Sequence, residues 1–233
     1  MKFSKWHALG NVYLLVEQGE LQPDRVRALV GEADGIVEVV AAGADSADVV
    51  IWNPDGSRAK MSGNGTRIAA RWLGDETGAQ EVRIRVGDRE VRARMLDGTM
   101  VEQDLGEVSV GSPEELDDIT FVPVDVGNPH AVVKGDPSDL PRIGPFLEAH
   151  PRFPERTNVQ VVQVDGPEAI TARVWERGVG ETSSSGTSAV AVAAACFGEG
   201  ETTVHFPGGD LHVRIDGRRA FLIGPAERLD SEA

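Results

Sequence analysis

The chain has 233 residues, 40% of them hydrophobic and 26% charged, which is the composition of a globular protein with a sizeable core. A net charge of −15 argues against nucleic acid and anionic membrane as partners. One cysteine, Cys196, excludes an internal disulfide framework and a cysteine-built metal site; with no signal-peptide pattern and no apolar run approaching about 18 residues, a cytoplasmic protein is expected.

Residues 2–10 and 12–17 read as two strands about a Gly10-Asn11 turn. Helical spacing follows over 21–32, with Pro23 in the first turn as a start signal. Residues 36–41 and 48–52 are β-branched runs, and Pro54-Asp55-Gly56 is a turn in which Pro fixes φ and Gly accepts a positive one. A helix is expected after Gly63-Asn64-Gly65. Residues 81–96 alternate apolar and polar, with Gly87-Asp88 as a hairpin turn, and 100–110 is a further strand region.

The polar stretch 111–118 is the expected boundary between two halves, 1–115 and 116–233. Residues 121–126 restart the strand pattern, and Gly127-Asn128-Pro129-His130 turns into 131–133. Residues 139–149 read as a helix despite Pro141, 158–164 and 170–175 as strands, and 188–197 as a second Ala/Val-rich helix. Three strands at 202–206, 211–215 and 220–223 close the chain. Strands dominate, so the expected class is α+β, with a mostly antiparallel sheet around one helix in each half.

The chain repeats itself. Trp52 and Trp175 each end a β-branched run, and Ser62-Gly63 and Ser185-Gly186 follow ten residues later (62 − 52; 185 − 175). Gly10-Asn11 is echoed by Gly127-Asn128, at an offset of 117 (128 − 11) against 123 (185 − 62) for the serines. Two similar halves, each presenting a Ser-Gly helix start to one shared site, suit a reaction that has two faces. A helix start offers unpaired N–H groups and about half a positive charge, a ready place for a carboxylate. Serine is also a favoured helix cap, which accounts for either one alone but not for the equal spacing. Neither serine lies in G-x-S-x-G, so a hydrolase elbow is unsupported. Glu176-Arg177 pairs an acid with a base, the chemistry that holds a zwitterion's ammonium and carboxylate, or else a surface ion pair. His130 is either an acid/base or a turn residue. Asn11, Asn53, Asn64, Asn128 and Asn158 fall at strand ends or turns, where asparagine serves turn geometry or furnishes amides to a small polar ligand.

With those residues in view, the chain resembles the diaminopimelate epimerase family almost end to end. The resemblance is carried by HALGN at 7–11, ADG at 33–35, NPDGS at 53–57, MSGNGTR at 61–67, GNPH at 127–130, FPERTN at 153–158, ERGVGET at 176–182, GT at 186–187 and PGGDL at 207–211. It implies two pseudo-symmetric halves with the site in the cleft between them, and a cofactor-independent, metal-free inversion of an amino-acid α-carbon. The family uses a thiol from each half, one removing the α-proton and the other returning one on the opposite face. Ser62 and Ser185 stand at those two positions here, and Gly35 stands where some members place a glutamine. By motif, the substrate contacts implied are Asn11, Asn53, Gly63, Asn64, Asn128, Asn158, Glu176, Arg177, Gly186 and Thr187, with His130 and Glu176 assisting the acid/base pair. The implied partner is a small-molecule amino acid, and a homodimer fits the family habit. Because a serine hydroxyl is no base near neutral pH without a neighbour to take its proton, two other readings stay open. One is a related isomerase or racemase that uses Ser, His and Glu; the other is a catalytically silent amino-acid-binding homologue.

Overall fold

The computed structural model describes residues 2–59 and 61–229. By compactness the chain divides into two units, one running to Asp104 and completed by the stretch from Ile223, the other Leu105–Leu222. Strands dominate, and the class is α+β.

The first unit contains β1 (Lys2–Ala8), β2 (Asn11–Glu17), α1 (Pro23–Leu29), β3 (Gly35–Ala42), β4 (Ser46–Trp52), β5 (Arg58–Ala59), α2 (Gly63–Thr77), β6 (Glu81–Val86), β7 (Arg89–Met95) and the start of β8 (Met100–Glu107). The second contains β9 (Ser109–Val110), β10 (Glu114–Leu116), β11 (Ile119–Asp125), β12 (Pro129–Lys134), a 3-10 turn at Pro137–Asp139, α3 (Leu140–Glu148), β13 (Asn158–Gly166), β14 (Ala169–Glu176), β15 (Gly180–Thr182), α4 (Gly186–Cys196), β16 (Gly200–Phe206), β17 (Gly209–Asp216) and most of β18 (Arg219–Pro225). The last strand, β19 (Glu227–Leu229), pairs antiparallel with β1 inside the first unit. The polar stretch 111–118 contains β10, joined to β11 by a two-residue turn whose aspartates, Asp117 and Asp118, adopt φ of 46° and 66°. Short polar side chains tolerate this left-handed backbone, which matches the twist of a tight hairpin.

The two units share one pairing grammar. In the first, β2 runs parallel to β3, β3 antiparallel to β4, and β4 parallel to β6. In the second, β12 runs parallel to β13, β13 antiparallel to β14, and β14 parallel to β16. The change of offset from 117 to 123 now has a place. Between β2 and β3 lie 17 residues (18–34), and between β12 and β13 lie 23 (135–157), a difference of six. This crossover carries α1 in one unit and the 3-10 turn with α3 in the other.

Each unit closes its sheet around one helix. In the first unit α2 packs on β1–β4, β6 and β7, and in the second α4 packs on β11–β14, β16 and β17. Helix α4 reads GTSAVAVAAAC, and Val190 and Val192 are wholly buried. Its composition is apolar on every side because it is surrounded, and each buried valine contributes about 1.5 kcal/mol or more. In α2, Ile68, Ala69, Ala70 and Leu73 meet Val37, Val49, Ile51 and Ile84 of the sheet in one core cluster. Gly65 is glycine because a Cβ there would lie 2.9 Å from Ile51 Cδ1. The repeated tryptophans are fastened alike. Trp52 Nε1 donates to Glu38 Oε2 at 2.7 Å, and Trp175 Nε1 donates to Glu148 Oε2 at 2.7 Å. No helix among the described residues is long and apolar enough to cross a membrane.

Candidate active site

The two serines cap the two central helices, with different bonds. Ser62 has the extended backbone of an N-cap (φ −143°, ψ 119°), and its Oγ accepts from Gly65 N at 3.1 Å. The same Oγ lies 3.2 Å from the Tyr13 hydroxyl. Ser185 has a matching backbone (φ −150°, ψ 127°), yet its side chain makes no bond to α4. It stands instead beside the Glu176 carboxyl, whose pKa it pulls down. The first N–H groups of α4, at Gly186 and Thr187, are therefore not satisfied by the serine that precedes them.

Glu176 ends β14 and accepts from Thr182 Oγ1 at 2.6 Å. Burial lifts its carboxyl above the usual range, against the hydrogen bonds from Thr182 and Ser185 that pull it down. A carboxyl so placed sits closer to neutral pH and can exchange protons with the serine beside it.

Arg177 follows on a turn that is held at several points. Its backbone N–H donates to Asn158 Oδ1 at 3.0 Å, and one guanidinium nitrogen donates to Glu155 O at 3.1 Å. Asn158 Nδ2 donates to Pro129 O at 3.0 Å, so this amide ties β13, the start of β12 and the Arg177 turn together. Beneath the turn, Glu148 takes Trp175 Nε1 on one oxygen and Gly178 N on the other, both at 2.7 Å, with Arg156 Nη1 at 3.3 Å. Burial alone would raise the Glu148 carboxyl; the Gly178 and Trp175 bonds and Arg156 together hold it below the usual range.

His130 is buried, 1% exposed, with both nitrogens engaged. Nδ1 meets Gln160 Nε2 at 3.0 Å, and Nε2 meets Asn128 Oδ1 at 3.1 Å. With the Gln160 amide donating to Nδ1, the proton sits on Nε2 and is given to Asn128. Burial pushes His130 down to about 3, and the nearby Arg177 charge adds to it. The imidazole is thus neutral at pH 7.

The remaining expected residues lie in the first unit. Asn64 is buried at the start of α2, with Oδ1 accepting from Arg67 Nη2 at 2.7 Å. Gly63 is buried in the first turn of the same helix. Asn11 opens β2, and its amide reaches Leu9 O at 3.4 Å. Asn53 sits in the turn after β4, donating Nδ2 to Ser57 Oγ at 2.9 Å. Hydrogen bonds therefore join Asn158 to the Arg177 turn and Asn128 to His130, Ser185 stands beside Glu176, and the α2 start gathers Ser62, Gly63 and Asn64. Asn53 is held in its own turn.

Tyr13, Arg67, Glu148 and Gln160 were not singled out from the sequence. Each meets its partners across 27 or more residues, with the exceptions of Arg67 with Asn64, three apart, and Glu148 with Arg156, eight apart. One usable signal existed: Tyr13 and Gln160 are polar side chains within otherwise apolar strand runs.

A family model described as diaminopimelate epimerase matches residues 3–111 and 122–229. A diaminopimelate epimerase of Synechocystis sp. is 33% identical over 274 residues, covering 99% of this chain and 98% of its own. Among solved structures, a Pseudomonas aeruginosa protein described as a predicted epimerase matches with a TM-score of 0.76 at 16% identity, over 98% of this chain and 96% of its own. A hydroxyproline epimerase of Agrobacterium vitis, with bound trans-4-hydroxy-L-proline, matches with a TM-score of 0.67 at 15% identity, over 97% of this chain and 88% of its own. The two structural likenesses speak for the fold.

Proposed function

The chain belongs to the diaminopimelate epimerase family and is an isomerase of amino acids; from that premise we propose that its substrate is diaminopimelate, interconverted between the LL and meso forms without a cofactor. The reaction would serve lysine and peptidoglycan-precursor synthesis. The observation that carries this reading is the Ser185 side chain, which makes no capping bond to its helix and stands beside the half-buried Glu176 carboxyl, pulling its pKa down. A helix-capping serine has no need of that arrangement.

Inversion at an α-carbon requires one group to take a proton and another to return one. In the second unit, the Ser185 oxygen takes the α-proton as the hydroxyl proton passes to the Glu176 carboxylate. The Cα–H electron pair stays on carbon. In the reverse sense Glu176 returns its proton through Ser185. A general base placed in this way contributes about 10²–10⁴ in rate. Ser62 supplies the corresponding hydroxyl in the first unit. The Arg177 guanidinium, in the Nη1 donor to Glu155 O but with other donors to offer, takes the α-carboxylate as a planar fork. The N–H groups of Gly186 and Thr187 add the positive end of α4 to the carboxylate and to the enolate-like charge that develops on it. Asn11, Asn53, Asn128 and Asn158 are the amides assigned to the rest of the substrate. His130, neutral and donating to Asn128, orients that amide and is not itself an acid at pH 7.

One observation favours a second reading, binding without turnover: Ser62 has a structural task as the cap of α2. Incubating LL-diaminopimelate with the protein and resolving the stereoisomers by chiral chromatography separates them. Formation of the meso isomer, with L-proline and trans-4-hydroxy-L-proline unchanged, supports the proposal. Binding of diaminopimelate with no meso isomer formed would refute it in favour of the silent homologue.

A further inference from the structure

The epimerase reading leaves one hydroxyl without a base. Ser185 has Glu176, whereas Ser62 meets Gly65 N and the Tyr13 hydroxyl. We propose that Tyr13 is the proton-relay partner of Ser62, the counterpart in the first unit of Glu176 in the second. This inference rests on the epimerase reading. In the step assigned to it, the Cα–H bond breaks and leaves its electron pair on carbon. The proton goes to Ser62 Oγ, and the Ser62 hydroxyl proton goes to the Tyr13 phenolate. In the reverse direction the Tyr13 hydroxyl reprotonates Ser62 as Ser62 protonates the carbanion. Nothing is oxidised or reduced.

Three positions of the repeat carry the argument, because the two units differ there. Tyr13 on β2 is opposite Gly35 on β3, as His130 on β12 is opposite Asn158 on β13. A Cβ on Gly35 would stand 2.7 Å from Tyr13 Cε1, so the phenol ring lies over the backbone where the other unit places an asparagine side chain. The missing side chain at 35 is thereby explained: the ring takes its space and directs the hydroxyl to Ser62.

The third position is Arg67, five residues after Ser62, where the second unit has Val190 five residues after Ser185. Arg67 is wholly buried. Nε donates to Pro225 O at 2.9 Å and Nη2 to Asn64 Oδ1 at 2.7 Å, both neutral acceptors. Its Nη1 has no hydrogen-bond partner. A buried cation with only neutral partners favours an anion close by. Burial brings the Arg67 guanidinium down to about 10, and the Tyr13 oxygen, when ionised, is the charge that sustains it. The pairing of phenol and cation is thus mutual: each stabilises the ionised form of the other.

Tyr13 is the only tyrosine in the chain, so its ionisation can be read from ultraviolet absorbance with no background tyrosine. The test has two arms. In the first, the phenolate absorbance is titrated in the protein as it stands, in Ser62→Ala and in Arg67→Gln, with Tyr13→Phe as the blank. Loss of the Ser62 donor or of the Arg67 charge should each move the midpoint upward, by about one pH unit for Arg67, a tenfold change in the ionisation constant. If Arg67→Gln does not fold, Ser62→Ala carries this arm alone. In the second arm, deuterium incorporation at the α-carbon of diaminopimelate is followed in D2O. Tyr13→Phe keeps the ring over Gly35 and should lower kcat about 100-fold or more with KM within about twofold. It should also remove one limb of the pH–rate profile, and combining it with Ser62→Ala should add little further loss. Full exchange by Tyr13→Phe with an unchanged pH profile would overturn the relay and leave the epimerase reading intact. No exchange by the unmodified protein would overturn the epimerase reading; the titration then decides the pair by itself, and a midpoint indifferent to Ser62 overturns it.

Discussion

Replacing Glu148 should loosen the Arg177 turn and cost stability in a manner that depends on pH. Its side chain is 11% exposed and receives three donors. Arg156 is 59% exposed, and such a pair contributes little. The other two, from Trp175 Nε1 and Gly178 N, are short bonds of 2.7 Å to a carboxylate. Each such bond is worth about 1.5–3 kcal/mol, so Glu148→Ala should cost about 3–5 kcal/mol, including the indole N–H left behind without an acceptor. Glu148→Gln keeps the volume and one acceptor oxygen, and should cost about half as much. Urea unfolding reads the effect as a fall in the midpoint at constant slope. The sign with pH follows from a folded carboxyl held below its ordinary 4.5. Its contribution is complete above 4.5 and is lost as pH falls through the folded value, so Glu148→Gln should flatten the acid limb of the stability curve. Because Gly178 lies next to Arg177, Glu148→Gln should also raise KM more than it lowers kcat. A Glu148→Ala protein within about 0.5 kcal/mol of the parent, with the acid limb unchanged, would refute this reasoning.

Three further outcomes follow from the same geometry. Ser62→Ala removes a helix-capping bond and should cost about 1 kcal/mol in urea unfolding, whereas Ser185→Ala, with no capping bond to lose, should cost about half of that or less. Glu176→Gln should stabilise the protein at pH 7 while lowering turnover. The Glu176 carboxyl is raised by burial, so the stability it allows is complete below the ordinary 4.5 and is lost as pH rises through the folded value. Calorimetric melting at pH 4 and pH 7 checks it. His130→Gln should remove part of the acid sensitivity between about pH 6.5 and 3, because the unfolded imidazole binds a proton in that window and the folded one does not.

The repeat was legible in the sequence because its spacing is set by geometry. A Trp that ends a strand, a turn and a capped helix occupy a fixed length of chain, so Trp52–Ser62 and Trp175–Ser185 kept the same interval. The alternation over 81–95 gave β6 and β7, and the apolar run at 189–196 gave α4. The six-residue shift in offset was visible as a number, but only the structure assigns it to the crossover before β13. Ser62 and Ser185 do stand at helix starts, and Asn11, Asn158 and Glu176 at strand ends, since caps and turns are local. The supporting contacts were not legible, for a physical reason. Tyr13 reaches Ser62 through the neighbouring strand's missing side chain at Gly35. Glu148 meets Trp175 only after α3 has packed beside β14. The difference between Ser62 and Ser185 was also hidden: identical Ser-Gly starts give a capping bond in one case and none in the other.

The central claim is that hydroxyls, each with its own proton acceptor, carry α-proton transfer on diaminopimelate. The most direct measurement is NMR of LL- and meso-diaminopimelate in D2O with the protein as it stands, Ser185→Ala, and Ser62→Cys/Ser185→Cys. The account predicts loss of the α-hydrogen signal with the unmodified protein, abolition of that loss in Ser185→Ala, and faster exchange with the double cysteine protein, whose thiols are the stronger acids. Exchange confined to the double cysteine protein would contradict the account, showing an epimerase scaffold in which the serines do not move the proton.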